Sequence, residues 1–504
     1  METPGIAHRS RSDLAGVFTR ALSTDFSERL PFATLGFVYL LLRMPYLGYG
    51  HGTDPDAWRV ALTAHHLIET GKYFPSRLPG NPLHELVMTP VIAGGWVATN
   101  FATALASLAG IYIFARIVAN HRLPHAGLLT VGFAFTPLLY INSIATMDYM
   151  WTLTAILGAY YCALRGWPVW AGICLGLAIG FRLPSFVFWL PLAYLLWRQG
   201  SARDVLASSL ATGGTTALAF SPVLAVYGID FLNFYDASVS YQDVIRLLGK
   251  EALGVIGGLG VLCGLIASLP KLRRLPQDIL REPQVAVWVG TVVIFFVAFL
   301  RLPHEIAYVI PVFPFGFLLM GRYFARPALI GAIAAILIAG FVDLTTPGDA
   351  LNLSSFRSAS FGRGLILSNA DTMSAQRDFV DEVLAAAVPD HSVVMSGFVF
   401  PQLAIREQKR LELRILERDY GAISMLSDRG EAVDRDHDVR YVWLLTYDAF
   451  MALRSQGYSF FIVPDAAGGT AALYDYRPAL FGATFLQLER EAPSAGKGTA
   501  STDR

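Results

Sequence analysis

The chain has 504 residues, of which 54% are hydrophobic and 15% charged, where soluble domains carry roughly 25% charge. Lysine plus arginine number 39, and so do aspartate plus glutamate. Nothing in that balance points to a nucleic-acid partner or a polybasic surface, and the composition is that of a membrane protein.

Residues 1–29 form an amino-terminal segment with Arg9, Arg11, Arg20 and Arg29, no small-residue cleavage site follows the first apolar run, and an uncleaved anchor is expected. A spanning helix needs about 20 mostly apolar residues. Runs of that character lie at 30–48, 98–118, 124–141, 148–164, 167–181, 184–198, 205–227, 251–269, 285–300, 305–323 and 327–343. Many are interrupted by Pro and Gly, which membrane helices tolerate. Starting with the amino terminus inside, the alternation puts Arg198 and Arg203, then Lys271, Arg273, Arg274 and Arg281, then Arg322 and Arg326, on the cytoplasmic side. This agrees with the positive-inside bias. Residues 49–97, 141–148, 228–250 and 301–305 then face outward, as does everything after about 344, and the chemistry belongs on that face.

From 344 the charge returns and short β-rich runs alternate with helical ones. Candidate strands are 392–398, 411–417, 441–447, 460–465 and 484–490, with an amphipathic helix at 448–457. This alternation reads as a small α/β layer with a mostly parallel sheet, ending near 490, and 491–504 reads as a disordered tail. The expected fold is therefore mainly α: a polytopic membrane domain over 30–343 with a large first outer loop, then a small soluble α/β domain over 344–490. No G-x-G-x-x-G or P-loop is present. Cys162, Cys174 and Cys263 have neither C-x-x-C nor metal-ligand spacing and read as packed hydrophobes.

The first outer loop carries the main signal. It holds "GTDPDAW" at 52–58, "IETG" at 68–71, "RLPGNP" at 77–82 and then His84 and Glu85. Three later segments follow: "ATMDYMWTLTAILGAYY" with Asp148, "GLAIGFRLPSFVFWLPL" with Arg182, and "RLPHEIAYVIPVFPFGFLL" with Arg301, His304, Glu305 and Tyr308. In this order the four segments resemble the membrane glycosyltransferases of the C-type fold that use lipid-linked sugars. They are most similar to the protein O-mannosyltransferase and lipid A aminoarabinose transferase group. The resemblance covers about two thirds of the chain and leaves out the last domain. It implies a polyprenyl-phosphate sugar donor, Asp56 as the catalytic acid position and an inner-membrane protein working on its outer face. Two departures stand out, Ala57 where members have Glu after the first Asp, and "LVMTP" at 86–90 where they have Pro-Pro-Leu. They leave open the donor sugar and the use of a divalent cation.

Chemistry supports the same residues. Glycosyl transfer needs a carboxylate to take the acceptor's proton and cations to meet the departing phosphate. Asp56 is the candidate base, Asp54 and Asp148 supporting acids, and Arg182 and Arg301 phosphate contacts able to donate in parallel pairs. His84, Glu85, His304 and Tyr308 are candidates for substrate binding or metal ligation. Each has a plainer role open to it. Either aspartate of the loop, and Asp148, can cap a helix, and the arginines can snorkel to headgroups. The expected function is transfer of a sugar, with inversion, from a polyprenyl-phosphate donor to a lipid, glycan or protein acceptor. The alternative is a transporter or flippase of a lipid-linked saccharide, which calls for charges deep in the helices rather than at one face.

Overall fold

The computed structural model describes residues 24–490 except 78, 230–240, 304, 346–358, 408–410, 416–429, 446, 464–475 and 482–484. His304 and the expected tail therefore lie outside the described residues. The chain is mainly helical with one substantial sheet near its end. The helices used below are α1 (Arg29–Arg43), α2 (Pro55–Thr70), α3 (Pro82–Met88), α4 (Gly95–Asn120), α5 (Ala126–Phe135), α6 (Pro137–Asn142), α7 (Tyr149–Leu164), α8 (Pro168–Phe181), α9 (Trp189–Gln199), α10 (Ala202–Ala219), α11 (Gly254–Ala267), α12 (Pro283–Arg301), α13 (Val312–Tyr323) and α14 (Arg326–Ala339).

Among the described residues two helices, Ile92–Asn120 and Pro283–Arg301, are long and apolar enough to cross a membrane. Two bent pairs, Ala202–Ala219 with Ser221–Tyr227 at 55° and Val244–Glu251 with Gly254–Ala267 at 88°, raise the number to four. The sequence led us to expect about eleven spans of roughly 20 residues. Other apolar runs are helical but shorter, among them α5, α8 and α14. Proline explains several of the breaks, since it lacks an N–H and its ring clashes with the preceding turn. Pro137 divides 124–141 into α5 and α6, and Pro184 opens a 3₁₀ turn, Leu183–Phe188, so that the expected run 184–198 is α-helical only from Trp189.

The helices pack closely where one face is small. On α8, Gly172, Gly176 and Gly180 recur every four residues and face α10. A Cβ there would lie 2.2 Å from the Ser208 carbonyl oxygen, 2.5 Å from Thr215 Cβ and 2.6 Å from Ala219 Cβ respectively. Small residues at this spacing let two backbones meet in the manner of membrane helix pairs. α7 packs on α8 and on α4, so the start of α7 and the end of α8, where Asp148 and Arg182 sit, are held beside each other.

Beyond α14 come strands β1 (Val342–Thr345) and β2 (Ser360–Arg363), helix α15 (Leu365–Ala385), β3 (Ser392–Met395), α16 (Phe400–Arg406), β4 (Glu412–Ile415), β5 (Gly430–Asp434), β6 (Val439–Val442), α17 (Tyr447–Ser455), β7 (Ser459–Ile462), β8 (Tyr476–Phe481) and β9 (Phe485–Arg490). The sheet runs β4-β5-β6-β3-β7-β9-β8. Strand β3 is parallel to both β6 and β7, and every other pair is antiparallel. The expectation of a mostly parallel sheet is corrected: only its centre is parallel. The short connection from β5 to β6, with Asp438 at φ 50°, suits an antiparallel pair, because a parallel pair needs a long crossover. β3 is buried at every position, as a strand covered on both faces must be. One face meets α17 through Val393, Met395, Phe450 and Ile462. The other meets α15 and α16 through Val394, Val380, Phe400 and Leu403, and that core also takes in Leu62 of α2.

Candidate active site

Helix α2 is built from local signals. Asp54 is its N-cap and accepts from the Asp56 backbone N–H at 2.8 Å, Pro55 occupies the first turn, where its missing N–H costs nothing, and Gly71 ends the helix at φ 69°. Trp58, buried, donates from Nε1 to the Gly52 carbonyl at 2.9 Å and fixes the approach to the helix. Asp56, in the first turn, is left free of capping duty and turns to basic partners.

Two arginines meet it. Arg59, one turn further on, donates from Nη1 to Asp56 Oδ1 at 2.7 Å, and Arg77 Nε lies 3.4 Å from Asp56 Oδ2. Arg77 also donates from Nη2 to Asp148 Oδ1. Arg182 donates from Nη1 to the other oxygen, Asp148 Oδ2, at 2.9 Å. Its Cζ lies 4.3 Å from the ring centroid of Tyr308 and 4.6 Å from that of Tyr149, a cation between two π faces. Asp148 stands at the N-cap position of α7 but makes no capping bond; its carboxylate is spent on the two arginines. The Asp148 side chain is 0% exposed and that of Asp56 is 26% exposed, so Asp56 is the acid of this ion-pair chain that solvent or a substrate can reach.

Charge in the loop follows from burial. The Asp54 carboxyl is raised from 3.8 to about 6 by desolvation and by the neighbouring Asp56 charge, against the pull of Arg77 and Arg59. Burial pushes the Arg77 guanidinium down, but Asp148 and Asp56 outweigh it and leave it above its ordinary value. Burial lowers His84 to about 4, the Asp148 charge opposing and the Arg77 charge adding to the shift, so the ring is neutral near pH 7. Both His84 ring nitrogens are buried with no hydrogen-bond partner among the described residues, and the ring lies edge-on to Trp151 at 6.2 Å. Glu85 is raised by burial, while the hydrogen bonds to Ser76 and Tyr73 hold it back. It accepts from Ser76 N–H at 2.8 Å, Ser76 Oγ at 2.5 Å and the Tyr73 hydroxyl. Those bonds make Glu85 the knot that ties residues 73–76 to α3.

The structure therefore brings Asp54, Asp56, Asp148, Arg182 and Tyr308 into one cluster, with His84 beside Asp148 and Arg77. Arg301 ends α12 with an exposed side chain. Among the described residues no three His, Cys, Asp or Glu side chains are grouped so as to hold a metal ion. Arg59 and Arg77 were not singled out from the sequence. Arg59 stands three residues after Asp56 on the same helix face, and Arg77 opens the "RLPGNP" segment, so both signals were there to read.

No family model matches the sequence, and no curated protein matches it either. Two solved structures are similar in fold. ArnT from Cupriavidus metallidurans in the apo state aligns with a TM-score of 0.54 and 14% identity, over 91% of this chain and 97% of that one. The same protein bound to undecaprenyl phosphate aligns with a TM-score of 0.51 and 16% identity, over 94% of this chain and 100% of that one. At such identities what is shared is the fold, and it is the fold that the four sequence segments imply, over nine-tenths of the chain.

Proposed function

We propose that this chain is an integral-membrane glycosyltransferase that takes a sugar from a polyprenyl-phosphate donor and passes it to a lipid, glycan or protein acceptor. One observation carries the reading: a solvent-accessible carboxylate, Asp56, sits on a chain of three guanidinium groups in a fold shared with a protein whose structure holds undecaprenyl phosphate. In the proposed step an acceptor O–H attacks the anomeric carbon, its proton passes to Asp56, and the bond from that carbon to the phosphate oxygen breaks. The electron pair leaves with the polyprenyl phosphate. Direct displacement inverts the anomeric centre. A carboxylate offers about four lone-pair sites, so Asp56 can keep its bond to Arg59 and still accept a proton at Oδ2, where Arg77 is 3.4 Å away.

The leaving phosphate gains charge as the bond breaks, and preorganised cations are the strongest aid to that. We assign this to Arg182 and Arg77, whose guanidinium groups are already fixed by Asp148, with Arg301 as an outer contact. We further propose that the amino terminus is cytoplasmic and that this cluster and the sheet face outward at the inner membrane, as the arginine distribution favours. A transporter is the weaker reading. The arginine buried within α1, Arg43, spends its donors on Ser143 Oγ at 2.6 Å and on the Tyr39 and Ala134 carbonyls at 3.1 Å each, which suits a structural role. The deciding experiment incubates purified protein with polyprenyl-phosphate sugars carrying labelled sugar and a mixed acceptor extract. Label should leave the lipid with wild-type protein and stay on it with Asp56→Asn; movement of intact labelled lipid across a vesicle without transfer would favour the transporter.

A further inference from the structure

The carboxy-terminal sheet does not stand apart from the outer loop. Leu62 of α2 is buried in its core, and α16 packs along α2. Thr53, just ahead of the helix, donates to Asn369 Oδ1 at 3.1 Å and accepts from Gln376 Nε2 through its carbonyl at 3.1 Å, both partners lying on α15. At the centre of this contact the ring of Trp443, 3% exposed, lies 4.6 Å from Arg59 Cζ. Arg59 Nη1 is the atom that donates to Asp56, and its Nε and Nη2 are buried with no hydrogen-bond partner among the described residues. The guanidinium is thus held by one ion pair on one side and one aromatic face on the other.

We infer that Trp443 is a positioning residue for Asp56, acting through Arg59, so that the sheet domain completes the active site. The inference rests on the proposed glycosyltransferase reading. The physics is that of a cation fixed by a π face: a buried Arg over Trp keeps one orientation, and that orientation sets where the Asp56 carboxylate points. A substitution that keeps an aromatic face should keep the site aligned, and one that fills the same space without a π face should not.

The test uses the full-length protein in detergent or vesicles, with a labelled polyprenyl-phosphate sugar as donor. Trp443→Leu should lower kcat about 3- to 30-fold, the rate equivalent of a cation–π contact, with the donor KM within about twofold. Trp443→Phe should recover most of the rate at an equal folded fraction. If Trp443 acts through Arg59, Trp443→Leu should add nothing in an Arg59→Gln background. Equal losses in the Leu and Phe variants, or a Trp443→Leu loss that adds fully to that of Arg59→Gln, overturns the inference; if Trp443→Leu does not fold, the comparison is made with Trp443→Phe against Trp443→Met. Asp56→Asn is measured alongside: if it remains active, the glycosyltransferase site itself has been misplaced and the inference falls with it, whereas an inactive Asp56→Asn with a fully active, folded Trp443→Leu overturns the inference alone.

Discussion

Arg77 and Asp148 are bonded across 71 residues of chain, from the loop between α2 and α3 to the start of α7, and Arg182 closes the other side of the same carboxylate at 2.9 Å. Asp148 is fully buried with two cations on it. Removing its charge leaves Arg182 without the carboxylate it pairs with and Arg77 with Asp56 alone at 3.4 Å, and breaking a buried pair in this way costs about 3–5 kcal/mol. Asp148→Asn should therefore melt well below wild type in detergent. A melting point within a degree or two of wild type would mean that the arginines find other acceptors and that Asp148 does not hold the site together.

The second prediction concerns the phosphate. Hydrogen bonds to charged groups contribute about 1.5–3 kcal/mol, so Arg182→Ala should weaken donor use by about one to two orders of magnitude. Arg77→Ala should do at least as much, since Arg77 also contacts Asp56. Arg301→Ala, at an exposed helix end, should cost less. Arg182→Lys should recover only part, because it keeps the charge and loses the fork. Steady-state kcat/KM for the donor is the measurement. Equal effects at Arg182 and Arg301 would restore the pairing that the sequence alone suggests.

How much of this was legible in the sequence depends on what each signal encodes. Asp56, Asp148, Arg182 and Tyr308 were readable because each sits in a short segment with fixed neighbours, and the structure gathers them. Helix lengths were not: hydropathy counts apolar residues and is blind to Pro137 dividing the run 124–141 into two helices. Strand direction was not legible either, because the side chains of a strand alternate in the same way whichever way its neighbour runs. β5 was missed since "GEAVD" is too polar to read as a strand; it pairs between β4 and β6. Trp443 read only as part of an apolar strand, and nothing along the chain says that Arg59 lies over its ring.

The third prediction follows from the raised carboxyl of Asp54. Its value moves from 3.8 to about 6 on folding, so the folded protein favours the neutral acid. The stability this contributes is complete below about pH 4 and is lost as pH rises through about 6. Asp54→Asn is neutral at every pH and keeps an oxygen to accept from the Asp56 N–H. The variant should match wild type in thermal stability near pH 4 and exceed it at pH 7–8. Melting curves across that range decide it, and a variant less stable than wild type at pH 8 would show that the Asp54 charge is wanted in the folded state.

The last prediction separates the two aspartates of the loop. They are two residues apart but have different partners: Asp54 binds the backbone of its own helix at 2.8 Å, and Asp56 binds Arg59 at 2.7 Å and faces Arg77 at 3.4 Å. Losing a general base typically costs about 10²- to 10⁴-fold in rate, whereas Asn is about as good an N-cap as Asp. Asp56→Asn should be folded and able to bind a polyprenyl phosphate, because Arg77 and Arg182 keep their contact with Asp148, yet turn over about 100-fold slower or worse. Asp54→Asn should keep most of its rate. Measuring donor binding by fluorescence alongside turnover is essential, since a variant that fails in both has lost the arginine arrangement rather than a proton acceptor. If Asp54→Asn is inactive and Asp56→Asn is not, the base is Asp54 and the cap and base assignments must be exchanged; if both are active, the loop supplies no base and the acceptor's proton leaves by another route.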